Sequence, residues 1–356
     1  MARRVRPVLV TGGAGFIGVN LADRLAEMGH DVLVLDSLAR PGVERNLAWL
    51  RRKHPRSVAA ITADIRDAES TTRAAADAAA VFHLAAQVAV TTSLADPLED
   101  FSVNFQATLL LLEALRRHNP SAPLIFASTN KVYGDLADIA LERVGESWLP
   151  RDPAIRAQGI AEHRPLDFHT PYGCSKGAAD QYVLDWSRSF AVPTVVLRMS
   201  CIYGRHQMGT EDQGWVAHFL RQALHGEPIR IYGDGCQVRD VLEVNDAVAA
   251  YLAAWQRIAA VQGRAFNLGG GPHNAISLRL LLRTMEELLG HKVDHDFAEW
   301  RAGDQRWFVC DRRAATRALD LPPPLSWRDG VARLARWLDE DRAARPALAG
   351  FAGATP

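Results

Sequence analysis

The stretch Thr11-Gly12-Gly13-Ala14-Gly15-Phe16-Ile17-Gly18 constrains this chain more than any other. It follows a short apolar run, Val8-Leu9-Val10, and leads into Leu21, Leu25 and Met28 at helical spacing. A strand, a glycine turn and a helix N-terminus in that order let backbone amides cradle a pyrophosphate. Gly12 permits the tight turn, Gly15 lets the backbone approach a diphosphate, and Gly18 lets the helix pack close to the strand. A second apolar run, Val32-Leu33-Val34-Leu35, ends in Asp36, an acid suited to the ribose hydroxyls of an adenosine. That favours NAD over NADP as cofactor, a preference that nearby Arg40 softens.

Further apolar runs alternate with helical patterns through the first half. Ala59-Ala60-Ile61-Thr62-Ala63-Asp64, Val81-Phe82-His83-Leu84-Ala85-Ala86, Leu124-Ile125-Phe126-Ala127-Ser128 and Thr194-Val195-Val196-Leu197-Arg198 read as buried strands. A polar helix is expected after Asp36 to about His54, and a long amphipathic helix from Phe101 through Leu109, Leu112 and Leu115. Farther on, Trp215, Phe219, Leu220 and Leu224 mark a helix, Ala265-Phe266-Asn267-Leu268 a strand, and Ser277 caps a leucine-rich helix to Leu289. Residues 136–170 read as an irregular loop, long enough to be a lid or an oligomer contact, with disorder as the alternative given its Pro, Asp and Arg content. The pattern predicts an α/β fold: a Rossmann-like doubly wound parallel sheet with a smaller C-terminal α/β substrate-binding domain. The expected boundaries are 1–200 for the NAD-binding part, completed by about 236–268; 201–235 and 269–343 for the substrate-binding domain; and 344–356 as a disordered tail.

Composition removes several function classes. The 41 basic and 41 acidic residues of this 356-residue chain balance, so there is no basic field to hold nucleic acid or an anionic membrane. No run approaches the ~18 apolar residues of a membrane span. Apolar sequence after Met1-Ala2-Arg3-Arg4 is too short for an export signal. Cys174, Cys201, Cys236 and Cys310 lack metal-type or redox-type spacing, so no metal is expected and a cytoplasmic location is.

Tyr172-Gly173-Cys174-Ser175-Lys176 puts a phenol and an ammonium on one face of a helix. A phenol acting as base near neutral pH needs its pKa of about 10 lowered by roughly three units, about 4 kcal/mol. A lysine one turn away and an oxidised nicotinamide are the expected sources of that charge. The end of the preceding strand, Ser128-Thr129, delivers a hydroxyl to the same cleft, where Thr129 would hydrogen-bond the reacting oxygen. For Ser128, ending a strand or capping a turn competes evenly with a cofactor role.

With these features the chain resembles the extended short-chain dehydrogenase/reductase superfamily, specifically its nucleotide-sugar epimerases and dehydratases. The resemblance runs from Val8 to about Ala315. It is carried by Ser128-Thr129-Asn130-Lys131-Val132-Tyr133-Gly134-Asp135, by residues 166–182 around Tyr172, and by Asp212-Gln213-Gly214-Trp215-Val216, Gln237-Val238-Arg239-Asp240-Val241 and Asp304-Gln305-Arg306. It implies catalysis by Thr129, Tyr172 and Lys176. It implies cofactor contacts from Gly12, Gly15, Phe16, Ile17, Gly18, Asp36, Asp64, Ile65, Leu84, Ala85, Ala86, Gln87, Asn104 and Ser128. Thr129, Asn130, Ser200, Trp215, Val216, Arg239 and Arg306 would face a nucleotide-diphosphate sugar, the two arginines through forked contacts to its diphosphate. Dehydratases of the superfamily carry Asp-Glu after the threonine; Asn130-Lys131 has no carboxylate to handle the protons of water loss, so epimerisation is expected. Inversion at C2 of a CDP-linked 3,6-dideoxyhexose through a transient ketosugar is implied. A C4 epimerase of a UDP- or GDP-sugar and a nucleotide-sugar dehydrogenase or reductase are the alternatives. A homo-oligomer, dimer or tetramer, is also expected.

Overall fold

The computed structural model describes residues 6–301 and 303–349. Seven parallel strands form the central sheet: β1 (Val8–Thr11), β2 (Val32–Asp36), β3 (Val58–Thr62), β4 (Ala80–His83), β5 (Leu124–Thr129), β6 (Thr194–Met199) and β7 (Arg264–Leu268). Their order is β7-β6-β5-β4-β1-β2-β3. Side chains alternate between two cores, as a two-residue period demands. Val8, Val10, Val34, Phe82, Ile125, Leu197 and Phe266 enter one core, against the helices Phe16–Glu27, Val43–Lys53 and Val244–Gln256. Leu9, Leu35, Val81, Leu124, Phe126 and Val196 enter the other, against Ala68–Ala76, Ala107–His118 and Thr170–Phe190. The strand order reverses between β1 and β4, so a crevice opens at their carboxyl ends, where a doubly wound sheet binds its ligand.

A smaller body packs beyond that crevice. Its strand Val238–Glu243 pairs with Cys201–Tyr203 and Trp307–Phe308 in parallel and with Ala275–Ser277 antiparallel. Ile229–Tyr232 pairs with His295–Ala298. Phe219, Leu220, Ile231, Leu281, Met285 and Val331 form its core. Ser277 caps the helix Leu278–Leu289 as expected, its Oγ accepting from Leu280 N at 3.2 Å.

Three local expectations change. Residues 136–170 are not an irregular loop: Leu141–Val144 and Ser147–Pro150 form a hairpin closed by Gly145-Glu146, and Pro153–Gln158 is a short helix. Leu136, Ile139 and Ile160 anchor the segment on Tyr133, Val238, Trp307 and Phe308. The helix expected from Phe101 begins at Pro97, capped by Asp96, and widens into a π-turn over Ser102–Gln106 before continuing as Ala107–His118. The last helix, Trp327–Ala349, runs into the segment expected as a loose tail; residues 350–356 lie outside the described residues.

Candidate active site

The glycine turn closes against the segment after β4. At Gly12, φ is +67° and an added Cβ would sit 2.7 Å from Ala85 N; at Gly18 it would sit 2.2 Å from Gly12 O. Only glycine fits either position, and what a Cβ would fill is a backbone cradle opening on the helix N-terminus at Phe16. Phe16 and Ile17 are half-buried against the core beneath it. Thr11 Oγ1 accepts from Leu84 N at 3.2 Å and Ala85 N at 3.3 Å, which fixes the start of the segment after β4 that runs on through Ala86 and Gln87. At the end of β2, the Asp36 carboxylate accepts from Ala14 N and Leu38 N, both at 2.9 Å, tying the turn to the second strand. Arg40 turns elsewhere, donating to the Gln213 side chain and to Met208 O. Asp64 is held below the usual carboxylate range by Arg66, and Ile65 is buried beside it. The cradle, the acid at the end of β2 and the strand-end amides fit a dinucleotide.

Tyr172 and Lys176 lie on one buried face of Thr170–Phe190. The Thr129 hydroxyl, at the tip of β5, accepts from Lys131 N at 3.2 Å, donates to Asn130 Oδ1 at 3.4 Å and stands near enough to the Tyr172 phenol to favour its ionised form. The chain alone does not provide the expected lowering of the phenol. Burial pushes Tyr172 up to about 12, with Thr129 opposing and Asp100 reinforcing. Burial also pushes the Lys176 ammonium down to about 7 against the pull of Asp180 and Asp100, its Nζ lying 4.2 Å from the centroid of the Phe126 ring.

Asp100 is the site residue that sequence reasoning missed. It is buried, its carboxyl pushed up by that burial, and it accepts from Ser175 Oγ at 2.5 Å, Gln87 Nε2 at 2.9 Å and Asn104 Nδ2 at 3.0 Å. Ser175 sits between Tyr172 and Lys176 in sequence, so the acid ties down the helix that carries both. Asn104 reaches it from the π-turn, with its Oδ1 buried and unpartnered among the described residues.

The Ser128 hydroxyl donates to Asp180 Oδ2 at 2.7 Å, inside a buried network with Arg198. Asn130 Nδ2 donates to Gln305 Oε1 at 3.1 Å and Lys131 Nζ to Gly303 O at 2.9 Å. Burial and the Arg239 charge push Lys131 down to about 8. Arg239 pairs with Asp304 at 2.7 Å, so the 303–306 segment is held both by the strand Val238–Glu243 and, through Asn130 and Lys131, by the residues after β5. Ser200 Oγ donates to Asp240, Trp215 Nε1 points at Cys201 Sγ at 3.5 Å, and Val216 packs into the C-terminal core. Arg306 lies against the Trp148 and Trp300 rings. Among the described residues Asp135, Asp167 and His169 bring three possible ligand atoms within 4.8 Å of one another, all of them exposed, an arrangement common among acidic groups that hold no ion.

Residues 8–269 match the NAD dependent epimerase/dehydratase family. Over 337 residues the chain is 41% identical to the CDP-paratose 2-epimerase of Salmonella typhi, spanning 93% of this chain and 98% of that protein. It is 31% identical over 326 residues to the UDP-glucose 4-epimerase of Mycolicibacterium smegmatis, spanning 91% and 96%. The structure of Thermus thermophilus UDP-glucose 4-epimerase in complex with NAD superimposes with a TM-score of 0.79 at 30% identity, over 94% of this chain and 99% of that one.

Proposed function

The chain belongs to the NAD dependent epimerase/dehydratase family, with NAD as its cofactor, and we propose that it inverts C2 of a CDP-linked 3,6-dideoxyhexose of the CDP-paratose/CDP-tyvelose type. NAD supplies the acceptor, and then the donor, of a hydride. The proton chemistry falls to the protein. Tyr172 takes the proton of the reacting hydroxyl and returns it, and Thr129 orients both oxygens. Bringing the phenol from about 12 to near neutrality takes about 7 kcal/mol of added phenolate stabilisation. Lys176 contributes to it only as the ammonium, one helical turn away.

The observation that carries epimerisation over water loss is the pair after Thr129. Asn130 is bound to Gln305 and Lys131 to Gly303, and neither offers a carboxylate. The choice of C2 and of a CDP-sugar is supported by the 41% identity to CDP-paratose 2-epimerase. The 31% identity to a UDP-glucose 4-epimerase favours C4 inversion of a UDP-sugar as the second reading. We further propose a cytoplasmic homo-oligomer; the exposed aromatic stripe of Phe101, Tyr182 and Phe190 supports self-association. Among the described residues no helix is long and apolar enough to cross a membrane.

The test is product analysis by NMR with CDP-, UDP-, GDP- and dTDP-linked sugars. A C2 epimer from a CDP-sugar is expected. A C4 epimer from UDP-glucose with no CDP-sugar turned over would select the second reading, and a 4-keto-6-deoxy product would contradict the role given to Asn130-Lys131.

A further inference from the structure

Lys176 can stabilise a phenolate only while it carries its proton, yet it is buried and its Nζ has no hydrogen-bond acceptor among the described residues. The groups that face it come from four elements. Asp180 lies one turn further along the same helix, but its charge is already matched: it accepts from Arg198 Nε and Nη2, both at 2.9 Å, and from Ser128 Oγ. β4 contributes His83, which burial and the Lys176 charge push down to about 3, so it stays neutral. β5 contributes the uncharged ring of Phe126. The helix Pro97–Phe101 contributes Asp100.

Asp100 differs from Asp180 in what surrounds it. Its side-chain donors, Ser175 Oγ, Gln87 Nε2 and Asn104 Nδ2, are all neutral, and among the described residues no arginine or histidine pairs with it. Ser175 immediately precedes Lys176, so its bond to Asp100 sets the carboxylate beside the turn that carries the lysine. A buried carboxylate and a buried ammonium, each without another charged partner of its own, cost less together than apart. The Asp100 charge favours the Lys176 ammonium against burial, and the ammonium in turn favours the carboxylate. We propose that Asp100 is the counter-ion of Lys176, a positioning residue that acts through the lysine by keeping it charged beside Tyr172. The same negative charge disfavours the phenolate, so the base ionises only where the ammonium outweighs it. This rests on the reading of Tyr172 and Lys176 as the proton-handling pair and not on the choice of sugar nucleotide.

Lys53, Lys131, Lys176 and Lys292 are the only lysines of the chain, so their side-chain signals can be followed one by one. The experiment is a pH titration by NMR of NAD-loaded enzyme isotope-labelled at lysine Cε, with the Lys176 signal assigned by its loss in Lys176→Met. Asp100→Asn keeps the shape and removes the charge; it is expected to lower the Lys176 midpoint by about one pH unit or more. Lys131, which faces Arg239 and Asp304 instead, is expected to stay within about 0.3 unit of wild type. Ser175→Ala keeps the charge and removes one hydrogen bond, so its Lys176 midpoint is expected to stay within about 0.3 unit, and it reports even where Asp100→Asn fails to fold. An unmoved Lys176 midpoint in folded Asp100→Asn overturns the proposal. So does a fall of about one unit in Ser175→Ala, which would make the bond and not the charge responsible. Lys176→Met enzyme with wild-type turnover of a CDP-linked sugar would instead overturn the role given to Lys176 itself.

Discussion

Replacing Asp180 by alanine removes the centre of the most deeply buried charge network in the described sheet. The Asp180 carboxylate accepts from Arg198 Nε and Nη2, both at 2.9 Å, and from Ser128 Oγ at 2.7 Å. The two charged side chains are 5% and 0% exposed. Arg198 also donates to Tyr133 OH at 3.1 Å, and Tyr133 donates to Asn267 on β7. The network therefore joins β5, β6 and β7 to the helix that carries Tyr172 and Lys176. Without Asp180 the guanidinium stays buried and unpaired, a loss of about 3–5 kcal/mol. At ~2.1 cal/mol/K of unfolding entropy per residue, a chain of 356 residues would lose roughly 4–7 °C in melting temperature. Differential scanning calorimetry of Asp180→Ala and of Asp180→Leu/Arg198→Met reads this directly. The double variant replaces both charges by apolar side chains and is expected to recover at least about half of the loss. A single variant that melts within about 1 °C of wild type would refute the reasoning, as would a double variant no better than the single one.

Tyr172→Phe is expected to lower turnover at least about a hundredfold while substrate affinity stays within a few-fold, read by steady-state kinetics and direct binding. Lys176→Met is expected to be inactive yet more stable than wild type once both are stripped of dinucleotide. With Lys176 lowered from 10.5 to about 7, the unfolded chain binds a proton that the folded one has shed across that window. Wild-type stability therefore rises with pH from about 7 towards 10.5, and the advantage of Lys176→Met, roughly 2–5 kcal/mol at pH 7, shrinks as pH is raised. Urea titrations between pH 6.5 and 9.5 check the sign. Wild type is expected to purify with bound NAD, and Gly18→Ala, whose Cβ would overlap Gly12 O, without it, as assayed in the supernatant after denaturation.

The central sheet was legible because parallel strands buried on both faces read as unbroken apolar runs, such as Val32-Leu33-Val34-Leu35 and Leu124-Ile125-Phe126. The glycine turn and the Tyr172–Lys176 spacing were legible for a similar reason, since each is set by local geometry. The hairpin at 141–150 was not, because its four-residue strands include Glu142, Arg143 and Ser147; only the Gly145-Glu146 turn hints at it. Asp100 looks like one more acid on an amphipathic helix until the π-turn and Ser175 surround it. The direction of the Ser128 hydroxyl depends on Asp180, and the Arg306 stack depends on Trp148, each pair joined only by tertiary structure.

The proposed inversion, by transient oxidation and return of the same hydride, is tested most directly by isotope tracing at the inverted carbon. That route needs NAD, Tyr172, Lys176 and Thr129, whereas exchange of a carbon-bound proton needs a base at carbon on each face. Asn130 and Lys131 offer no carboxylate for that task. Turnover in deuterated water is therefore predicted to place no deuterium on the inverted carbon, and substrate labelled there is predicted to keep its deuterium in the product. Stoichiometric solvent deuterium at that carbon, detected by NMR, would contradict hydride return.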